Sequence, residues 1–370
     1  MTWTNTPSFQ FEISRSSSGE ILFSTYGTVI VFQDQFLEVV TSMVPNYNIY
    51  GLAEHITNFR LHNDLNVTFY AADSGNQIDA NIYGTHPMYL ETRYANDTSM
   101  SHGVYGRNGK HRRLVSFLSS NAKLHILSLA HGQEWLLREN RILYRTLGGS
   151  LDFYFLSGPN PKDVIAQYQG GIVGTPAMQM YWTFGFHQCR WGYANWSVLQ
   201  DVVDNYRSAD IPLEVIWTDI DYMDQYRDFT NGEMNFPVAE GEVFLANLAA
   251  SNQHYVPIID SNIYAPNPTN ASDSYEPFAR GESMNAFIRN GDEGLYYGDN
   301  WPGFSVWADW ISENAQAYWT YEITNWYKSI PFSGIWIDLN VSWSRFAQSA
   351  ELTLGLSGSI LVLCWQLRYR

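Results

Sequence analysis

The chain has 370 residues, enough for two domains, and 45% hydrophobic content in a mixed polar sequence excludes a disordered class. Thirty-seven acidic against 21 basic residues leave a net charge of −16, which argues against nucleic acid or an anionic membrane surface as a partner and favours a neutral or cationic one. Aromatic residues make up 16% of the chain, with 14 Trp, and such rings either fill a core or offer faces to sugars. Cys189 and Cys364 are too few for a disulfide framework and lack metal-ligand spacing. The opening MTWTNTPSFQF has no basic start followed by an apolar run, so a secretory signal is not encoded here. Sequons at Asn66, Asn96, Asn195, Asn270 and Asn340 are close to the number that a composition rich in Asn, Ser and Thr produces by chance.

From Glu20 to about Leu90, short runs rich in β-branched and aromatic residues (EILFST, TVIVFQ, FLEVV, VTFYAA) are punctuated by Gly, Asn and Asp, which predicts antiparallel strands. LYRTLGGSLDFYFLSGP continues the pattern and PKDVIAQYQ reads as a connecting helix, so residues 1–165 are expected to form a β-sandwich. After Pro176 the texture changes. WTFGFH is followed by NWSVLQDVVDNYRSADI, whose Val198, Leu199, Val202 and Tyr206 share a helical face; then come LEVIWTDID, EVFLANLAASNQ, YVPIID, a long loop region, ENAQAYWTYEITNWYKSI and GIWIDLN. Apolar strands alternating with amphipathic helices are the pattern of a parallel βαβ sheet. Asp219, Asp221, Asp260 and Asp338 stand at strand ends, and in a (β/α)₈ barrel all carboxyl ends meet on one face. About four strands are present where a closed barrel needs eight, so residues 172–340 are expected to be the first half of a TIM barrel.

Two segments break the pattern. KHRRLVSFLSSNAKLHILSLA, residues 110–130, interrupts a β-region without a coherent period, and HGVYGRNG would join smoothly to HGQEWLLREN without it. The tail at 341–370 is apolar and lacks turn and cap signals; its uncharged stretch from Leu352 to Leu367 is shorter than the roughly 20 residues that span a bilayer, so no membrane partner is expected.

Hydrolysis of a glycosidic bond uses one carboxylate at the anomeric carbon and one carboxylic acid to protonate the leaving oxygen, about 5 Å apart in a retaining enzyme. Asp338, after GIWID, suits the first role. YWTFGFHQCRWGY (181–193), IPLEVIWTDIDYMDQYRDFT (211–230), YVPIID (255–260) and GIWIDLN (334–340), in that order, resemble consecutive blocks of glycoside hydrolase family 31, and within it the fungal α-glucosidases. The resemblance implies a retaining α-glucosidase that releases glucose from non-reducing ends by double displacement, without metal or cofactor, on an oligosaccharide or glucoside. It implies Asp338 as nucleophile, Trp336 and Leu339 lining the −1 subsite, Asp219 on a sugar hydroxyl with Ile220 beside it, Trp191 and Trp301 as walls, and Asp73 in YAADSGN as a further sugar ligand; the barrel reading adds Asp260 to the acids expected around the cavity, ranked last because a strand-end Asp can also simply hold its loop. An extracellular protein is what the family implies.

The departures carry expectations too. Family members have a block like DMNE, with Glu three residues after the nucleophile, where this chain reads Asp338, Leu339, Asn340, Val341. The family's general acid lies on a later strand, and no residue here matches it, so the chain as written is expected to be truncated and impaired. The other readings are a catalytically dead carbohydrate-binding fragment and a relative with β-glucosidase, α-xylosidase or transglycosylase activity.

Overall fold

The computed structural model describes residues 1–34, 36–69, 77–95, 97–108, 133–291 and 294–339. The loop carrying Asp73, the segment at 110–130 and the tail from 341 lie outside the described residues. The chain divides into two compact units, Met1–Pro176 and Ala177 onward.

The first unit is antiparallel. Its strands are β1 (Thr2–Thr4), β2 (Gln10–Ser14), β3 (Ile21–Ser24), β4 (Val31–Gln33), β5 (Phe36–Ser42), β6 (Asn48–Gly51), β7 (Leu65–Thr68), β8 (Met88–Ala95), β9 (Thr98–Arg107), β10 (Gln133–Arg138), β11 (Arg141–Thr146) and β12 (Asp152–Leu156). They pair into sheets ordered β1-β2-β3, β4-β5-β11-β10-β7 and β12-β9-β8-β6. In β11 Ile142, Tyr144 and Thr146 are buried and alternate with more exposed neighbours, the period-two pattern of a strand with one face on a core. Val39, Trp135, Leu137, Ile142 and Tyr144 of the five-stranded sheet share one apolar cluster with Ile49, Tyr89 and Val104 of the four-stranded sheet. The Trp135 and Tyr89 rings meet edge to face at 5.6 Å within it.

Helix α1 (Pro161–Tyr168) starts where Asn160 Oδ1 accepts the Asp163 amide hydrogen at 3.0 Å and Pro161 fills the first helical position. Its Val164 and Tyr168 pack on Met88 and Leu156. Gly103 on β9 permits this, since a Cβ there would lie 2.8 Å from Val164 Cγ1.

The second unit runs β13 (His187–Gln188), α2 (Trp196–Ser208), β14 (Val215–Thr218), α3 (Val238–Ala250), β15 (His254–Ile259), β16 (Asn262–Tyr264), α4 (Glu276–Ser283), β17 (Gly298–Asn300), β18 (Gly303–Trp307), α5 (Glu313–Tyr327) and β19 (Trp336–Ile337). Strands β13, β14, β15 and β19 form a parallel sheet in that order. Every residue of β14 and all but the first of β15 are buried, as both-faced burial in a parallel sheet requires. Four parallel strands with helices between them make half of a barrel sheet.

The details differ from the sequence reading in three places. Of WTFGFH only His187 pairs as a strand; Tyr181–Phe184 is a 3₁₀ turn. In α2 the fully buried residues are Trp196, Leu199 and Val203, while Val198, Val202 and Tyr206 flank the cluster partly buried. The large indole of Trp196 takes the core and turns the helix toward its own side. The region read as a long loop contains α4 and the antiparallel sheet β16-β18-β17, whose outer strands are three residues each and too short to show a period.

Candidate active site

Each acid follows a parallel strand directly. Beyond β14, Asp219 is still extended and its Oδ1 accepts the Ile220 amide hydrogen at 2.7 Å, capping a 3₁₀ turn over Ile220–Tyr222. Ile220 itself is buried in the apolar core. Asp221 points elsewhere: its Oδ2 accepts the Gly192 amide hydrogen at 2.9 Å and so anchors the Cys189–Trp191 segment. Trp191, 61% exposed, and Trp301, 52% exposed at the β17–β18 turn, have ring centroids 6.4 Å apart at 46°.

Beyond β15 stands Asp260, 1% exposed, whose amide donates to Asp228 Oδ1 at 3.0 Å. Beyond β19 stands Asp338, partly exposed. Its amide donates to the Ile259 carbonyl at 3.1 Å, and its Oδ1 accepts the Leu339 amide hydrogen at 2.9 Å. Leu339 has a left-handed φ of 45°, and its carbonyl accepts the Ser261 hydroxyl. Trp336 turns against Trp217 at 5.7 Å, and the Trp217 indole donates to His187 Nδ1 at 3.0 Å.

The electrostatics show that the acids share one neighbourhood. Burial raises the Asp219 carboxyl above the ordinary carboxylate range, and the charges of Asp221 and Asp338 raise it further. Asp260 is pushed up to about 8 by burial and by the charges of Asp338 and Asp219. The Cys189 thiol is pushed up to about 12 by burial and by Asp219 and Asp221. The strand ends therefore bring Asp219, Asp260 and Asp338 together, with Leu339 following Asp338 directly, while Trp336 packs on Trp217. A cavity of about 310 Å³ lined by Asp224, Arg227, Arg280 and Trp326 includes none of these three acids. Sequence reasoning passed over Asp228 and Ser261. Nothing in the spacing of DYMDQYRDFT separates Asp228 from the other acids of that loop, and a Ser after a strand-end Asp carries no signal of its own. Among the described residues no group of three or more His, Cys, Asp or Glu side chains is arranged to hold a metal ion.

The glycosyl hydrolases family 31 TIM-barrel domain matches residues 176–353. Residues 176–353 belong to glycosyl hydrolase family 31. The chain carrying this family 31 domain is 47% identical over 341 residues to an α-glucosidase of Aspergillus niger, covering 92% of this chain and 34% of that protein. It is 45% identical over 338 residues to glucoamylase 1 of Candida albicans, covering 90% and 33%. The chain thus spans about a third of the length of these relatives. Among solved structures it resembles the ER glucosidase II heterodimeric complex, at a TM-score of 0.66 and 22% identity, covering 85% of this chain and 34% of that one. It also resembles the family 31 dextranase of Flavobacterium johnsoniae complexed with glucose, at 0.70 and 17%, covering 91% and 37%. At these identities the structural likeness concerns the fold.

Proposed function

We propose that the chain is part of a retaining α-glucosidase in which Asp338 attacks the anomeric carbon of a terminal glucosyl unit. The observation that carries the reading is the placement of Asp338 at the end of β19, partly open to solvent and within electrostatic reach of Asp219 and Asp260, in a family 31 domain. In the first step Asp338 displaces the leaving group and forms a glycosyl ester; in the second, water breaks the ester and releases glucose with net retention. Asp219 accepts hydrogen bonds from sugar hydroxyls, and the Leu339 amide donates to Asp338 Oδ1 and so orients the carboxylate. Trp191 and Trp301 cover apolar sugar faces. The proton donor is assigned to no residue among those described, and the first unit's paired antiparallel sheets are read as a sandwich.

The exposed Trp191–Trp301 pair supports a second reading, sugar binding without turnover, because stacking needs no acid. A fluorinated glucosyl fluoride separates the two. Its leaving group departs without a proton donor and its ester persists, so the peptide containing GIWIDLN should gain the mass of one fluoroglucosyl group. Saturable sugar binding with no labelled peptide supports the second reading; labelling of another carboxylate removes Asp338 from the role.

A further inference from the structure

Two sealed carboxyl groups have no part in the scheme above. Asp228 is 0% exposed and Asp260 1%. Among the described residues, both oxygens of Asp260 and Oδ2 of Asp228 have no hydrogen-bond partner. No ion pair among the described residues reaches either: Arg227, next to Asp228 in sequence, lies over the Tyr264 ring at 3.8 Å and pairs with Asp273, and Arg280 pairs with Glu276 and Glu322. The groups packed around them add no positive charge. Tyr222 donates to the Ile258 carbonyl, Tyr255 shares a hydrogen bond with Thr218, and Tyr275 donates to the Asp228 carbonyl. Asp219 and Asp338 stand on the adjoining strand ends and are themselves acids.

A carboxylate out of water without partners costs several kcal/mol, and two side by side cost more. Protonation removes the charge and converts one orphan oxygen into a donor. Position adds to this. Asp260 sits between the two clamps that join β15 to β19, the Asp338 amide on the Ile259 carbonyl and the Ser261 hydroxyl on the Leu339 carbonyl. A side chain that swings or ionises there moves both clamps.

We propose that Asp260 is a positioning residue and not a sugar ligand: its carboxyl, held neutral against Asp228, fixes the β15–β19 junction and keeps a third negative charge away from Asp338 and Asp219. The part that concerns Asp338 as nucleophile rests on the functional reading; the neutral acid does not. Burial and the neighbouring acids push Asp260 up to about 8, so the neutral form prevails at pH 7 and is lost above it.

The test is a carboxyl-carbon NMR titration of the 370-residue chain labelled at aspartate, with Asp260→Asn, Asp228→Asn and Asp338→Asn variants checked for folding by circular dichroism. The resonance that titrates near 8 should be lost in Asp260→Asn, and its midpoint should fall in Asp338→Asn, which removes a neighbouring charge that raises it; the Asp228 carboxyl, itself pushed up by burial and by Asp260, is identified by its loss in Asp228→Asn. The Asp338 resonance, identified by its loss in Asp338→Asn, should show a second inflection at the same pH that disappears in Asp260→Asn. An Asp260 already ionised at pH 7, or an inflection of Asp338 that survives Asp260→Asn, overturns the proposal. Should Asp260→Asn fail to fold, an Asp260 midpoint unmoved by Asp338→Asn does so instead. Failure to trap sugar on Asp338 rejects the nucleophile assignment and leaves this titration to be judged separately.

Discussion

Replacing Asp260 by Asn should change how stability depends on pH more than it changes stability itself. In an unfolded chain an Asp carboxyl titrates near 3.9, whereas in the folded protein Asp260 titrates near 8. The folded state therefore binds the proton more tightly. The contribution of Asp260 to stability is fully present below about pH 4, falls as pH rises through the window between about 4 and 8, and stays at its minimum above that. A separation of about four units at about 1.4 kcal/mol each sets a ceiling of roughly 5 to 6 kcal/mol, comparable to the whole net stability of an ordinary domain. Asparagine has the shape of the neutral acid and no proton to lose. Urea unfolding of parent and Asp260→Asn at pH 5, 6.5, 8 and 9, followed on the transition of the second unit, reads the effect, because titrating groups remote from Asp260 cancel in the difference and the neighbouring acids Asp219, Asp228 and Asp338 enter with it. The variant should gain on the parent by about 1 kcal/mol per unit between pH 5 and 8. Parallel curves across that window would refute the reasoning.

Gly241 on α3 faces Trp196, and a Cβ there would lie 2.7 Å from the indole, so Gly241→Ala should cost about 1 to 3 kcal/mol and lower the melting temperature of the second unit, read by calorimetry. Trp191→Ala should weaken binding of a glucoside by roughly 3- to 10-fold, as loss of one aromatic contact worth about 0.5 to 1.5 kcal/mol predicts, while Trp3→Ala, exposed in the first unit, should not, and titration calorimetry reads both. Expressed as these 370 residues, the polypeptide should hydrolyse an aryl α-glucoside at least about 10²- to 10⁴-fold more slowly than a longer relative, the factor that protonation of the leaving oxygen supplies. A rate near that of the relative would call for a proton donor among the residues present.

The parallel half-barrel was legible because its strands are unbroken apolar runs and its helices amphipathic, each long enough to show a period; β14, β15, α3 and α5 came through in this way. The small sheet β16-β18-β17 did not, since strands of three residues are held by their cross-strand partners and not by local pattern. The placing of Asp219, Asp260 and Asp338 on one rim followed from strand ends alone, a consequence of parallel topology. What strand ends do not encode is depth. Asp219 and Asp338 stay partly open while Asp260 is sealed, and the difference comes from Asp228 and the tyrosines around it, residues brought close from as far as 47 positions away in sequence. For the same reason the buried stripe of α2 was centred one residue off: the weight of Trp196 is a property of the cavity it fills.

Trp301 stands apart from the acids in one respect. It sits at the two-residue turn between β17 and β18, on a sheet hydrogen-bonded separately from the parallel one, and Gly303 with its φ of 96° lets the turn close. Lengthening, shortening or resequencing that tip leaves the ladder from β13 to β19 untouched. On the reading proposed above, the sugar contacts of Trp301 can therefore change with the hairpin while the strand carrying Asp338 keeps its pairing.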